Sequence, residues 1–304
     1  MMFPMDFFAR RLPALAQRCL LALAFVACTA GAEPAAGGKI FLWEVKSGAS
    51  SVYILGSMHA ARPDIYPLPQ PVEDAYRKSD RLVVEADVTD QSKVLKSFSL
   101  LMYTPPDSLD KHVSSEVWKQ LEASPMGQDQ AAMKALKPAT LASALVVAAL
   151  AAHGYDPQAG IDLHFLNSAH ADAKEVVELE STEFQAAVLG GLTDEEGNAM
   201  LSETLKEVRN GELVRDADKL TSAWKAGDDE SIGRLLRESN RDPASKRIYT
   251  KLIDDRNPPM AEKIAALASG PGRAFVVIGA GHLAGEKNVL ELLKAKGLQV
   301  RQLP

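Results

Sequence analysis

The sequence predicts an α/β fold: a central mixed, largely parallel sheet with flanking helices and helical insertions. Short apolar runs rich in β-branched residues recur along the chain, and stretches with helical spacing separate them. The 304 residues are 46% hydrophobic and 24% charged, the composition of a globular protein, which excludes a disordered or fibrous chain.

The first 32 residues have the order of a secretory signal peptide. Three arginines precede an apolar run at 19–27, and small residues follow up to Ala32. The run is short for a membrane anchor. Lipid attachment at Cys28 is the alternative, although a leucine three residues before the cysteine would suit it better. We therefore expect an exported protein, periplasmic or secreted, with one mature domain at 33–304 and no integral membrane span.

The net charge and the number of cysteines exclude several classes of protein function. The net charge of −6 argues against a nucleic-acid-binding face, which needs a basic surface. The predicted signal peptide is basic and carries both cysteines, Cys19 and Cys28, so the mature chain would be more acidic and free of thiols. Thiol chemistry is then excluded, and any metal ligands would be nitrogen or oxygen atoms.

The first elements predict a hairpin and a βαβ unit. Strand-like runs at 40–45 and 52–55 flank a turn of serine and glycine, which indicates a β-hairpin. A proline-rich stretch leads to a short helix near 72–78, and a buried strand follows at 81–84. Strand, helix and strand at this spacing predict that 52–55 and 81–84 pair in parallel.

Two helical insertions are predicted, at about 92–173 and 193–268. The alanine-rich run 139–152 in the first is short and contains Thr140 and Ser143, so it indicates a buried core helix rather than a membrane span. A strand at 175–179 separates the insertions.

Helix starts and the last elements complete the pattern. Thr182 with Gln185, and Thr193 with Glu196, have capping-box spacing. Asn257 before Pro258 predicts a helix capped by the asparagine. The final segments are a strongly apolar strand at 274–278, a helix near 288–296 and a strand at 298–302.

Four predicted strands end close to a side chain that can bind a ligand. These are His59, Glu85, Glu180 and His282. Because parallel strands end at one edge of a sheet, the four side chains are expected to converge there. Two histidines and two carboxylates suit a divalent metal site or an acid–base pair.

The pattern Gly-x-x-His follows an apolar strand twice, at 56–59 and 279–282. This repetition favours a functional role for His59 and His282 over the alternative that each is only a hydrogen-bonded structural residue. The other histidines lack this setting and are predicted to be structural or surface residues: His112, His153, His164 and His170.

Zinc-protease, nucleophile-elbow and phosphate-loop motifs do not occur. The glycines at 279–285 resemble a dinucleotide loop, but the strand after the next helix carries Gln299, Arg301 and Gln302 and lacks the acidic residue that a dinucleotide site needs at its end.

Arg256 permits two interpretations from the residues alone. It lies in Asp-Asp-Arg-Asn at 254–257, where it could pair with a neighbouring aspartate on the surface. Alternatively, its guanidinium is fixed and binds a substrate carboxylate or stabilises an oxyanion.

Taken together, these motifs resemble the TraB/GumN family, which is related to the Tiki proteases and more distantly to the ChaN and erythromycin-esterase group. The matching segments are Leu-Trp-Glu-Val at 42–45, Tyr-Ile-Leu-Gly-Ser-Met-His at 53–59, Leu-Val-Val-Glu at 82–85, Gly-Ile-Asp at 160–162, Glu-Leu-Glu at 178–180 with Gln185, Arg-Asn at 256–257, and Val-Ile-Gly-Ala-Gly-His-Leu at 277–283 with Gly285. They span almost the whole mature chain in the family's order. The family's first motif often has threonine where Ser57 stands.

The resemblance implies an active crevice built from the two Gly-x-x-His motifs and the acidic strand ends. It implies metal ligands at His59, His282 and Glu85, catalytic roles for Glu85 and Glu180, and an accessory role for Arg256. Mn, Co or Zn would be the cofactor, and a peptide or protein the substrate. The competing hypothesis is a non-catalytic envelope protein that binds a metal, haem or peptide in the same crevice.

Overall fold

The computed structural model describes residues 38–47 and 50–304. The predicted signal peptide and Cys28 lie outside the described residues. The strands are β1 (Leu42–Ser47), β2 (Ser50–Ser57), β3 (Arg81–Val84), β4 (Glu175–Glu178), β5 (Ala274–Gly279) and β6 (Gln299–Gln302).

The α-helices of the described chain fall between these strands, and most of them lie between β3 and β4 or between β4 and β5. They are α1 (Gln70–Lys78), α2 (Gln91–Phe98), α3 (Ser115–Glu122), α4 (Gln130–Ala135), α5 (Pro138–Ala151), α6 (Ile161–Ala171), α7 (Thr182–Gly190), α8 (Asp194–Asn210), α9 (Glu212–Lys225), α10 (Asp229–Ser239), α11 (Pro243–Tyr249), α12 (Asn257–Ser269) and α13 (Val289–Ala295). A π-helical turn, Thr250–Asp254, links α11 to the segment before α12. Within the described residues, no helix has the length and apolar character that crossing a bilayer requires.

The described strands form one sheet in the order β4-β3-β5-β2-β1-β6. The four strands β4, β3, β5 and β2 are parallel, whereas β1 pairs antiparallel with both β2 and β6. The predicted mixed, largely parallel α/β fold and the β1–β2 hairpin are therefore confirmed.

The predicted direct pairing of β2 with β3 is wrong. Both strands run in the same direction, but β5 lies between them and pairs with each. Every residue of β5 is buried, so this strand gains most from a central position with neighbours on both sides. It arrives some 190 residues after β3, and local spacing cannot reveal such an insertion.

Two apolar clusters account for most of the core. The sheet cluster includes a group of aromatic rings, in which Phe275 of β5 lies 4.8 Å from Phe165 and 5.8 Å from Tyr76 between ring centroids. The helical insertions form a second cluster, in which α5 packs against α8, and a smaller cluster joins α5 to α9. The first half of α5 is largely buried, which agrees with a core helix.

Two predicted helix starts differ from those observed. Ser181, rather than Thr182, caps α7 by accepting the N–H of Phe184. Helix α12 begins after Arg256 without a side-chain cap, and Asn257 makes tertiary contacts instead. The side chains of Thr182 and Asn257 are buried, and each forms hydrogen bonds with a distant part of the chain instead of capping its helix. The capping box of Thr193 with Glu196 is present as predicted.

Candidate functional site

The sheet brings both Gly-x-x-His motifs to the same edge. Strands β2 and β5 are parallel neighbours, and Ser57 pairs with Gly279 at their carboxyl ends. His59 and His282 follow directly, and both side chains are buried. Glu85 follows β3, and Glu180 lies two residues beyond β4, where its N–H donates to the backbone oxygen of Glu85 at 2.7 Å. We call His59, Glu85, Glu180, Arg256 and His282 the strand-end cluster.

Arg256 holds the two glutamates together. Its Nη2 lies 2.6 Å from Glu85 Oε2 and 2.7 Å from Glu180 Oε2, and its Nε donates to Glu180 Oε1 at 3.0 Å. A further hydrogen bond runs from Nη1 to the backbone oxygen of Leu252 at 2.7 Å. The side chain is only 2% exposed, so it is neither a surface partner of the adjacent aspartates nor an open guanidinium.

Gln185 and Gly279 complete the restraint of the carboxylates. Gln185 Nε2 donates to Glu85 Oε2 and to Glu180 Oε2, both at 3.0 Å. The backbone N–H of Gly279 donates to Glu85 Oε1 at 2.7 Å. Both oxygens of Glu85 therefore accept a hydrogen bond, and the carboxylate cannot turn freely.

Glu85 is ionised across the physiological range. Burial by itself would raise its pKa, but the positive charge of Arg256, followed by the charges of His282 and His59, outweighs burial and lowers the pKa to about 2. A carboxylate with so low a pKa is a weak proton acceptor near neutral pH. Its charge and fixed orientation suit the binding of a cation better.

His282 is buried against Glu85 and Asn257. Its Nδ1 lies 2.6 Å from Asn257 Oδ1, and its Nε2 lies 3.7 Å from Glu85 Oε1, which is beyond hydrogen-bonding distance. Burial is the main reason that its pKa falls to about 3, with the opposing charge of Glu85 only partly offsetting it. The ring is therefore neutral at physiological pH.

His59 has a different environment. Its Nδ1 lies 2.7 Å from Asp162 Oδ2, and Ser57 Oγ donates to Asp162 Oδ1 at 2.6 Å. Burial alone would lower the pKa of His59, but the charge and hydrogen bond of Asp162, with the charge of Glu85, produce a net increase. The two histidines thus differ in basicity because a carboxylate faces one and an amide faces the other.

Gly160 allows Asp162 to reach His59. A Cβ at position 160 would lie 2.4 Å from the backbone oxygen of His59, so only glycine permits this approach. The N–H of Ile161 then donates to the backbone oxygen of Met58 at 2.9 Å. The first turn of α6 is thereby fastened to the first Gly-x-x-His motif.

Three contacting residues were not predicted as site residues: Asp162, Gln185 and Asn257. The sequence indicates helix-start roles for Gln185 and Asn257, and all three residues stand in segments that match the family. Each lies in the first turn of a helix, where a polar residue is usually interpreted as a cap or capping-box residue. Their presence in the segments that match the family was the sequence signal that could have identified them.

The other four histidines lie away from the strand-end cluster. His112 contacts Asp107 and Asp194, and His170 contacts Thr89. His153 lies close to a backbone oxygen of its own helix, and His164 lies against the ring of Tyr66. These partners are those of structural or surface histidines.

The donors of the strand-end cluster suit a divalent cation chemically. Imidazole nitrogen and carboxylate oxygen are the usual ligands of Zn, Mn and Co. The nearest pair, His282 Nε2 and Glu85 Oε1, is separated by 3.7 Å. Across the described chain, however, no three histidine, cysteine, aspartate or glutamate side chains are gathered closely enough to hold an ion.

The sequence pattern of the TraB/PrgY/gumN family matches residues 41–302, a range that contains the six described strands and the strand-end cluster. The chain belongs to the TraB/PrgY/gumN family. The resemblance inferred from the motifs is thereby confirmed.

Relatives of this protein match most of its length. The protein named uncharacterized protein YbaP of Escherichia coli (strain K12) is 27% identical over 249 residues, which are 81% of this chain and 89% of that protein. An uncharacterized protein of Treponema pallidum (strain Nichols) is 23% identical over 305 aligned positions, covering 92% of this chain and 89% of that protein. No solved structure matches this chain.

Proposed function

We propose that this TraB family protein is an exported, metal-dependent hydrolase that acts on peptides or proteins at the strand-end cluster. One observation carries the proposal: two buried Gly-x-x-His histidines leave the same sheet edge beside the ionised Glu85, with His282 Nε2 3.7 Å from Glu85 Oε1. Such a group of neutral nitrogen and anionic oxygen atoms attracts a divalent cation.

His59, His282 and Glu85 would hold the cation, which we take to be Mn, Co or Zn. When bound, such an ion lowers the pKa of water and polarises a carbonyl group. Arg256 and Gln185 keep Glu85 oriented for this purpose through its Oε2, which leaves Oε1 on the side of His282.

Glu180 is the proposed general base. Its Oε2 has three nitrogen atoms within 3.2 Å, two from Arg256 and one from Gln185, whereas its Oε1 accepts from Arg256 Nε. A proton taken from the attacking nucleophile would therefore be held at Oε1. The positive charge of Arg256 would offset negative charge that develops beside the two carboxylates.

The test combines metal content with digestion of a peptide library. We expect the purified mature protein to retain a divalent metal and to cleave peptides. A chelator, His59→Ala and His282→Ala should each reduce cleavage by at least about two orders of magnitude. His153→Ala is the matched control, because this exposed ring contacts only backbone near its own helix in the hydrogen bonds described.

A metal-loaded protein that cleaves no peptide in the library would contradict the peptidase assignment. The mass of the exported protein should also correspond to a chain that begins after Ala32. Retention of residues 1–32 would contradict cleavage of the predicted signal peptide.

A non-catalytic envelope protein that binds a metal, haem or peptide is the second candidate. The restraint of both carboxylates favours it: Arg256 contacts Glu85 and Glu180, and the pKa of Glu85 is about 2. A binding protein needs fixed charges and no free base. Ligand retention without turnover in the same assays would select this candidate.

A further inference from the structure

Each histidine of the strand-end cluster has one ring nitrogen engaged by a buried polar partner. His59 Nδ1 lies 2.7 Å from Asp162 Oδ2, and His282 Nδ1 lies 2.6 Å from Asn257 Oδ1. The two partners come from the first turns of different helices, α6 and α12. In both cases the engaged nitrogen is Nδ1, although the partners differ in chemistry.

The contacts of Asn257 determine which atom carries the proton. Asn257 Nδ2 donates to the backbone oxygen of Lys287 at 3.0 Å, which fixes the orientation of the amide. Its Oδ1, which can only accept, therefore faces His282 Nδ1. The hydrogen between them belongs to Nδ1, and the lone pair of a neutral ring lies on Nε2.

Asp162 sets the same arrangement at His59. An ionised carboxylate accepts hydrogen bonds and donates none. Its Oδ1 accepts from Ser57 Oγ at 2.6 Å, which keeps Oδ2 directed at the ring. The hydroxyl of Ser57 thus orients the carboxylate, and the carboxylate orients the imidazole.

We propose that Asp162 and Asn257 are positioning residues that hold His59 and His282 in the Nδ1–H tautomer, with Nε2 of both rings free to bind a cation. The assignment rests on the proposed function for the identity of the ligand, but the tautomers follow from the hydrogen bonds alone. Partners of this kind fix ring orientation in metal sites, and their loss typically costs about 10–100-fold in metal affinity.

Local structure does not explain why these two side chains are buried. Asn257 is 1% exposed and makes no capping bond to α12. Asp162 is 7% exposed, and its described hydrogen bonds go to Ser57 and His59. Burying polar groups is costly unless they are paired, so these contacts account for their position.

The first test is nitrogen-15 NMR of the imidazole rings in the metal-free full chain. We expect His59 and His282 each to show protonated Nδ1 and unprotonated Nε2 at alkaline pH, where the ring of His59 is neutral despite its raised pKa. An Nε2–H tautomer at either ring would overturn the assignment of its partner, whether or not the protein binds metal. Because this measurement uses the wild-type chain, it does not depend on the folding of any variant.

Variants test the positioning role. Asn257→Leu and Asp162→Leu each remove the acceptor that faces a histidine. They should disturb the tautomer of that histidine and weaken Mn²⁺ binding, measured by electron paramagnetic resonance, by about 10–100-fold. Asn257→Asp keeps an acceptor and should restore the tautomer. Asn240→Leu, at a partly buried amide on the helix surface, is the matched control and should change neither readout.

Failure of this inference can be distinguished from failure of the proposed function. If the wild-type chain shows both Nδ1–H tautomers but binds none of Mn²⁺, Co²⁺ and Zn²⁺ and cleaves no peptide, the assignment of the tautomers is supported and the metal-dependent hydrolase is contradicted. If Mn²⁺ binds and the variants bind it as tightly as wild type, the positioning role is wrong.

Discussion

At the scale of single residues, Arg256 is the member of the site that the sequence described least well. Two interpretations were open, a surface ion pair or a guanidinium available to substrate. The structure instead buries Arg256 between Glu85 and Glu180, with Nη2 at 2.6 Å and 2.7 Å from their Oε2 atoms. Its first role is therefore to make two adjacent buried carboxylates tolerable.

Replacing this guanidinium should be costly. In Arg256→Met, two buried carboxylates lose their shared cation, and we expect about 3–5 kcal/mol of lost unfolding free energy in urea titration. Arg247→Met is the control, since its pair with Glu195 at 2.7 Å is exposed and should contribute about 0–1 kcal/mol. Equal losses in the two variants would contradict the role given to Arg256.

At the scale of elements, β5 decides how the sheet is assembled. It is buried along its whole length and separates β2 from β3. Its sequence is the most apolar strand signal in the chain, so its existence is readily predicted. Its place between two strands that are adjacent in sequence depends on pairing over long chain separations, which no local pattern records.

Truncating a side chain of β5 tests this central role. Phe275 is fully buried against Phe165 and Tyr76, so Phe275→Ala should reduce the unfolding free energy by about 3–5 kcal/mol. Phe184→Ala removes the same atoms from a side chain that is 45% exposed and should cost about 0.5 kcal/mol or less. Comparable losses in chemical denaturation would contradict the assignment of β5 to the core.

At the scale of the whole molecule, the chain is acidic, with a net charge of −6, and one of its carboxyl groups, that of Glu207, is partly buried. Glu207 of α8 lies near Glu203, Glu212 and Asp216. Burial, then the charges of these neighbours, raises its pKa from 4.5 to about 7. Between pH 4.5 and about pH 7, the folded chain therefore keeps a proton on Glu207 that the unfolded chain has released.

This linkage predicts that stability falls with rising pH. The contribution of Glu207 is fully present below about pH 4.5, the ordinary glutamate value, and is lost as the pH rises through about 7. Thermal unfolding from pH 5 to pH 8 should show a decline in Tm that is smaller in Glu207→Gln. Glu116→Gln, at an exposed position, should keep the wild-type slope. An unchanged slope in Glu207→Gln would contradict the linkage.

Glu85 acts in the opposite direction at lower pH. Its pKa of about 2 lies below the ordinary value of 4.5, so its contribution is present above pH 4.5 and is lost as the pH falls through 2. Together, Glu85 and Glu207 predict that the unfolding free energy is highest at pH values between about 2 and about 7.

The sequence by itself determined the strands, the two helical insertions and the residues at the strand ends. Apolar periodicity, turn residues and Gly-x-x-His spacing are local properties, and four site residues were found because parallel strands end at one edge. The sequence placed Asp162, Gln185 and Asn257 in the segments that match the family, but it did not reveal that their side chains contact the site. It also could not decide between the two interpretations of Arg256.

Tertiary structure decided those contacts because they join distant parts of the chain. His59 and Asp162 are 103 residues apart, and Glu85 and Arg256 are 171 apart. A polar side chain at a helix start is equally compatible with a local cap and with a buried long-range hydrogen bond. Only packing, which removes the competing water and brings a second polar group within 3 Å, selects between them.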